Sequence, residues 1–131
     1  MHIHFICRGN IYRSRLAEAY AKSRLKDADA IEVSSSGIQA EMDFDGTVAD
    51  VVPILLMQDG IEDYMSPRWT QTTQEIIDSV DIVVFMSKTV HKDAKTFLDL
   101  QQVEHYAWNI HDTKGVYPAI KQQVDALLST R

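Results

Sequence analysis

The sequence predicts an α/β fold in which helices cover both faces of one parallel sheet. Short apolar runs rich in strand formers alternate with stretches of helical periodicity, about four times along 131 residues. One run, Asp81-Ile-Val-Val-Phe-Met86, is continuously apolar after its polar start, as a central strand covered on both faces must be. No repeat, low-complexity segment or linker interrupts the alternation. Residues 1–131 are therefore read as one domain, with a core large enough to fold without staples.

Ile3 to Ile6 is short, apolar and reads as the first strand. A loop from Cys7 to Arg13 follows, and then Leu16, Ala17, Tyr20, Ala21 and Leu25 recur at the spacing of one buried helical face. Ile31-Glu-Val-Ser-Ser35 reads as a second strand stopped at Gly37, and Gln39 to Asp45 as an acidic, irregular stretch. A helix places Val48, Val51, Val52, Leu55 and Leu56 inward and ends at Gly60; Pro53 marks either a kink or a later start. Leu56 and Met57 are assigned to the core. Ser87 is placed to cap a helix built on Val90, Ala94, Phe97 and Leu98. Val103 to Trp108 reads as the last strand. A polar loop, Asn109 to Gly115, then leads to a helix with Ala119, Ile120, Val124, Leu127 and Leu128 inward.

Apolar and charged fractions of 45% and 24% are those of an ordinary globular protein. A net charge of −6 argues against nucleic acid as a partner, because phosphate backbones select basic surfaces. The apolar runs are too short to span a bilayer, and no secretory signal is legible, so neither membrane association nor export is expected. The one cysteine excludes an intrachain disulfide and a zinc cluster. A reducing, cytoplasmic compartment is the expectation, with no metal and no cofactor.

In α/β sheets of this kind ligands bind beyond the carboxyl ends of the strands, where the 7–13 and 109–115 loops both fall. The first reads Cys7-Arg8-Gly9-Asn10-Ile11-Tyr12-Arg13-Ser14. A sulfur that attacks phosphate must be ionised, although a free thiol has a pKa of about 8.5. A helix N-terminus and a guanidinium both favour the anion. The loop must also wrap, so that successive amides of residues 8–14 point at phosphoryl oxygens. Gly9 and Asn10 are the two residues most tolerant of the left-handed backbone that wrapping needs. Arg13 can hold two oxygens in its planar fork, and Ser14 can cap the helix or donate to the sulfur. Together these parts suffice for a phospho-cysteine intermediate. The bland alternative is an inert, buried cysteine at a strand end.

At these residues the chain resembles the low-molecular-weight protein tyrosine phosphatase family, whose pattern is cysteine, five residues, arginine, serine, with Gly-Asn inside and an apolar strand before it. Leu16-Ala17-Glu18-Ala19 looks like the start of the family's first helix, and Asp81 to Met86 like its third strand. The resemblance implies a flavodoxin-like three-layer sandwich with a four-stranded parallel sheet, and metal-free hydrolysis. It implies that Ser35 hydrogen-bonds Asn10, so that Asn10, Ser14 and Ser35 support the loop. It also implies that Asp112, in the loop after the last strand, protonates the leaving group and then activates water, the two tasks one carboxyl group can perform in turn. The implied substrates are phosphorylated proteins or small aryl phosphates, with inorganic phosphate and vanadate as inhibitors.

The chain also departs from the family. Thr113 stands in place of proline after the acid, and the aromatic pair that walls the substrate ring is missing; Tyr117 and Trp108 are the available substitutes. Glu41 occupies a place often aromatic, and with Asp43 and Asp45 would form an acidic rim. Arg15 replaces the proline after the serine, to add charge at the mouth or to lie exposed. Tyr12 replaces a second cysteine, and Met65 a histidine that supports the cradle. His2 and His4 share a strand face and read as packed or surface residues, and His111 as solvent-facing. Two other readings stay open. One is an oxyanion-binding module with impaired catalysis, prompted by Thr113. The other is a protein-arginine phosphatase, which the apolar Ile11 disfavours. An arsenate reductase would need further cysteines, and nothing supports a flavin carrier.

Overall fold

The computed structural model describes residues 1–26, 29–43, 49–111 and 113–131. Val48, Asp45 and Asp112, all singled out above, lie outside the described residues, as do Phe44 and the side chains of Met42 and Asp43.

Four strands, β1 (His2–Cys7), β2 (Glu32–Gly37), β3 (Ile82–Phe85) and β4 (Glu104–Ala107), form one sheet in the order β2-β1-β3-β4, every pair parallel. The helices are α1 (Arg13–Arg24), α2 (Ala40–Asp43), α3 (Val51–Gln58), α4 (Gln74–Ser79), α5 (Lys88–Ala94) and α6 (Tyr117–Ser129), with a 3₁₀ turn at Glu62–Tyr64. Strand order reverses between β1 and β3, which puts the loop after β1 at the switch point of the sheet.

Two-residue alternation decides what each strand feeds. Ile3, Phe5 and Cys7 join Ile82, Val84 and Met86 in one core layer, against Leu16 and Ala17 of α1, Val52 and Leu56 of α3, and Ile120 and Val124 of α6. Ile6, Val83 and Phe85 face the other way, onto Ile77 of α4 and Val90 and Ala94 of α5. Each fully buried side chain of this size contributes about 1.5–3 kcal/mol. Among the described residues, no helix is long and apolar enough to cross a membrane.

Several elements differ from their sequence reading. β2 runs through Gly37 rather than stopping before it, because Gly37 pairs with Cys7. α3 starts at Val51, so Pro53 falls in its first turn, where a missing N–H costs nothing. Gly60 follows α3 with a φ of 70°, the left-handed ending expected there. Met57 is 63% exposed, since α3 buries only Val52 and Leu56. α5 is capped by Ser87, whose Oγ accepts from the Val90 amide at 3.3 Å. That helix ends at Ala94, which turns Phe97 out to 52% exposure while Leu98 stays buried. Ala119 of α6 is exposed, lying one residue off the stripe set by Ile120 and Val124. α4 was not read from the sequence: its six residues, capped by Thr73, are too few to show a period.

Candidate active site

The loop from Cys7 to Tyr12 closes into a ring because its carbonyls are engaged outside it. Cys7 O accepts from the Ile38 amide at 3.1 Å, Arg8 O from Gln39 at 2.8 Å, Ile11 O from Ala49 at 2.8 Å and Tyr12 O from Leu16 at 3.0 Å. Asn10 O accepts from Arg15 Nη1 at 3.1 Å. In a trans peptide the N–H points opposite to the preceding C=O, so a ring with carbonyls outward presents amides inward. The left-handed conformation that wrapping needs is taken by Asn10 alone, at φ 57°; Gly9 keeps an ordinary φ.

Cys7 is buried at the end of β1. Its Sγ accepts the Asn10 amide at 3.2 Å and lies 2.9 Å from Ser14 Oγ. The polarity of that second contact follows from Asn10. The Thr70 amide donates to Asn10 Oδ1 at 2.8 Å, which fixes Nδ2 as the donor toward Ser14 Oγ at 2.8 Å and Ser35 Oγ at 2.9 Å. Ser35 in turn donates to Glu18. Ser14 thus accepts from Asn10 with one lone pair, and its own proton is available to an ionised sulfur.

Arg13, 6% exposed, opens α1 and donates from Nη1 to Ile110 O at 3.0 Å, beyond β4. Tyr12 donates its hydroxyl to Thr113 O at 2.9 Å. The two contacts tie the loop after β1 to the loop after β4 on either side of positions 111–112. The Arg8 side chain turns away, to Gln39 Oε1 at 3.2 Å and Asp93 Oδ2 at 2.8 Å. Its guanidinium is thus engaged by those two side chains rather than by the ring.

Arg15 is neither exposed nor at the mouth. It is 1% exposed, and besides the Asn10 carbonyl it reaches Ser66 O through Nη2. Burial pulls its pKa down, and Glu18 and Cys7 push it back up. Glu18, also buried, takes hydrogen bonds from Ser35, from Ser66 Oγ at 3.2 Å and from Lys22 Nζ at 2.5 Å. Met65 packs on the core, and the side of the cradle where a histidine was expected is bound by Arg15, Ser66 and Thr70 instead. Gly37 also belongs to the cradle: a β-carbon there would meet Asn10 N at 2.6 Å and Arg8 O at 2.7 Å. Sequence reasoning found neither residue's part. A charged residue in a helix and a glycine at a strand end are ordinary, and only the approach of distant segments makes them matter.

A cavity of about 870 Å³ opens over the ring, lined by Cys7, Ile11 and Arg13, by Leu55 of α3 and by Tyr117 and Pro118 of α6. Of the two proposed aromatic substitutes, Tyr117 borders this space, whereas Trp108 packs on Phe5 at 5.8 Å between ring centroids. Tyr117 is held edge-on to Tyr20 and under Lys121 Nζ at 4.5 Å. Burial, then Asp59 beside it, pushes its hydroxyl pKa up. Glu41 is exposed, with its amide donating to Gln71 Oε1 at 3.0 Å, and His111 is exposed as expected. His4 is buried between Ser34 Oγ at 2.6 Å and Ser36 Oγ at 2.7 Å, and the same Ser34 meets His2 at 2.6 Å.

The fold is shared with solved structures. A low molecular weight phosphotyrosine phosphatase from Vibrio cholerae is 17% identical and superposes with a TM-score of 0.86, covering 99% of this chain and 95% of its own. A low molecular weight protein tyrosine phosphatase from T. tengcongensis is 21% identical, with a TM-score of 0.83 over 100% and 99%. The YwlE arginine phosphatase, a Bacillus subtilis protein solved as a mutant with a phosphorylated active-site serine, is 20% identical, with a TM-score of 0.76 over 98% and 91%. No curated protein matches the chain by sequence. At these identities the likeness concerns the fold; the family rests on sequence. The family model described as low molecular weight phosphotyrosine protein phosphatase matches residues 2–124, nearly the full length, and the chain belongs to that family.

Proposed function

We propose that the protein hydrolyses phosphate monoesters, protein phosphotyrosine foremost, through a phospho-cysteine formed on Cys7. One observation carries the reading. The lone cysteine ends one of the two inner strands, inside a ring of outward carbonyls, with the Asn10 amide and the Ser14 hydroxyl on its sulfur. The thiolate attacks phosphorus, and the bond from phosphorus to the leaving oxygen breaks as Asp112 gives that oxygen its proton. Water, deprotonated by the same carboxylate, then attacks phosphorus. The sulfur–phosphorus bond breaks, phosphate departs and the thiolate returns. The inward amides and Arg13 carry the charge on the phosphoryl oxygens in both steps. On this reading Arg13 leaves Ile110 O, or shares its fork with it, when an oxyanion enters. Phosphate and vanadate occupy the same ring and inhibit. A cytoplasmic, reducing setting keeps the sulfur competent.

Turnover of an aryl phosphate, compared with Cys7→Ser, tests the proposal. A variant as active as the parent would refute it.

A protein-arginine phosphatase is the nearest alternative within the family. The apolar Ile11 on the cavity wall favours an aryl ester, and paired kcat/KM values on phosphotyrosine and phosphoarginine peptides decide between them. An oxyanion-binding module without turnover is the other alternative, prompted by Thr113 after Asp112. It predicts tight vanadate binding and no hydrolysis.

A further inference from the structure

Among the described residues, Arg15 is the largest of the fully buried side chains, and it sits in the first turn of α1 directly behind the cradle. Removing a guanidinium from water costs several kcal/mol unless hydrogen bonds and an opposite charge offset the loss. Two carbonyls, of Asn10 and Ser66, supply hydrogen bonds but no charge. Its Nε has no partner among the described residues. Glu18, one turn along, already receives Ser35, Ser66 and Lys22. Glu18 is the stronger opposite charge for Arg15 and the sulfur of Cys7 is the second.

Geometry links the two. The Asn10 carbonyl taken by Arg15 and the Asn10 amide that meets the sulfur at 3.2 Å belong to the same left-handed residue. Pulling that carbonyl outward holds the amide where it is. The proline of the family pattern at this position could neither donate a hydrogen bond nor carry charge.

We propose that Arg15 is a positioning residue for the attacking sulfur: it holds Asn10 in its left-handed turn, and it provides a buried positive charge that the ionised sulfur of Cys7 helps to balance. The inference rests on the phosphatase reading above and adds a second fixed cation behind the ring, besides Arg13 at its edge. Among the described residues, the charged groups around the pair are Arg13 from the loop, Glu18 with Lys22 from α1, and Asp59, Lys114 and Lys121 on the cavity that Cys7 lines, while Arg8 is turned onto Asp93.

The test uses Arg15→Gln and Arg15→Lys in the full chain. Two readouts are taken: the rate of Cys7 alkylation by iodoacetamide from about pH 5 to about pH 9, and kcat/KM on an aryl phosphate. Glutamine is neutral but can still donate to one carbonyl. Its alkylation profile should move up by about one pH unit or more, and its kcat/KM at neutral pH should fall about tenfold, recovering as the pH rises. Lysine keeps the charge but cannot reach both carbonyls, so its profile should stay within about half a unit of the parent while kcat falls a few-fold. A glutamine profile that overlays the parent, or equal shifts in both variants, would overturn the proposal. If Arg15→Gln does not fold, Arg15→Lys decides alone: an unmoved profile supports the charge, and a shift of about one unit or more overturns it. Alkylation reads the sulfur whether or not an ester is turned over, so its outcome is separate from that of the Cys7→Ser assay.

Discussion

Gly37 and Asn10 touch backbone to backbone: a β-carbon on Gly37 would stand 2.6 Å from the Asn10 nitrogen. Gly37 is fixed in its turn, paired with Cys7 in the sheet and bonded through its amide and carbonyl to Thr70 and Thr72. Neither side can retreat cheaply. Gly37→Ala should therefore open the ring, lowering kcat/KM on an aryl phosphate about a hundredfold and stability by about 1–3 kcal/mol. Urea unfolding and steady-state kinetics check it; an active Gly37→Ala protein would mean that the ring tolerates displacement.

Asp112→Asn should lower kcat about 10²–10⁴-fold on substrates with poor leaving groups and leave vanadate affinity in place. Unchanged kcat removes Asp112 from the mechanism.

Tyr12 ties the ring to the loop after β4 through its bond to Thr113 O. Tyr12→Phe gives up an exposed hydrogen bond of about 1 kcal/mol, so kcat should fall by up to about fivefold, with KM little changed. A rise in KM alone would place Tyr12 in substrate contact rather than in loop placement.

With one cysteine in the chain, oxidised Cys7 has no internal thiol to form a disulfide with. Under prolonged excess peroxide the sulfenic acid is therefore oxidised on to sulfinic and sulfonic acid, and inactivation should become irreversible. Activity is assayed after quenching and incubation with dithiothreitol, and recovery would contradict the prediction.

His4 is held neutral. Burial first, and the charge of His2 second, lower its pKa from 6.5 to about 3. The unfolded chain takes up a proton near pH 6.5 that the folded chain refuses until about pH 3, so stability is full above the first value and is lost as pH falls toward the second. Between pH 7 and pH 4.5 the parent should lose about 2–3 kcal/mol more than His4→Gln in urea titrations. Parallel pH curves for the two proteins would show that His4 does not set this slope.

The parts of this structure that follow local rules are the ones the sequence displays. Asp81 to Met86 reads as a buried strand because its apolar run needs no partner to be recognised, and the resemblance carried by Cys7 to Ser14 pointed to the turn of backbone found around the sulfur. Arg15 was misread because a charged side chain is normally solvated. Its burial depends on Ser66, 51 residues away, and on a carbonyl that only a left-handed Asn10 exposes. Met57 and Phe97 were misread for the opposite reason. Both fit an apolar stripe in sequence, but α3 touches the core on a narrow edge and α5 stops before Phe97. The wall of the cavity was the least legible part, because it joins α3 to the first turn of α6 across more than fifty residues.

Cys7 is the terminal residue of β1, in register with Gly37 on one side and following Ile6, whose carbonyl binds the Met86 amide at 2.8 Å on the other. The parts of the cavity wall on α3 and α6 share no hydrogen-bonded register with that strand. Reagent and selector are thus mounted on separate mechanical parts. Exchanging side chains at Leu55, Tyr117 or Pro118 should retune which esters are accepted while the sulfur keeps its aim, so a library confined to those wall positions would sample new specificities from a reactive centre that stays constant.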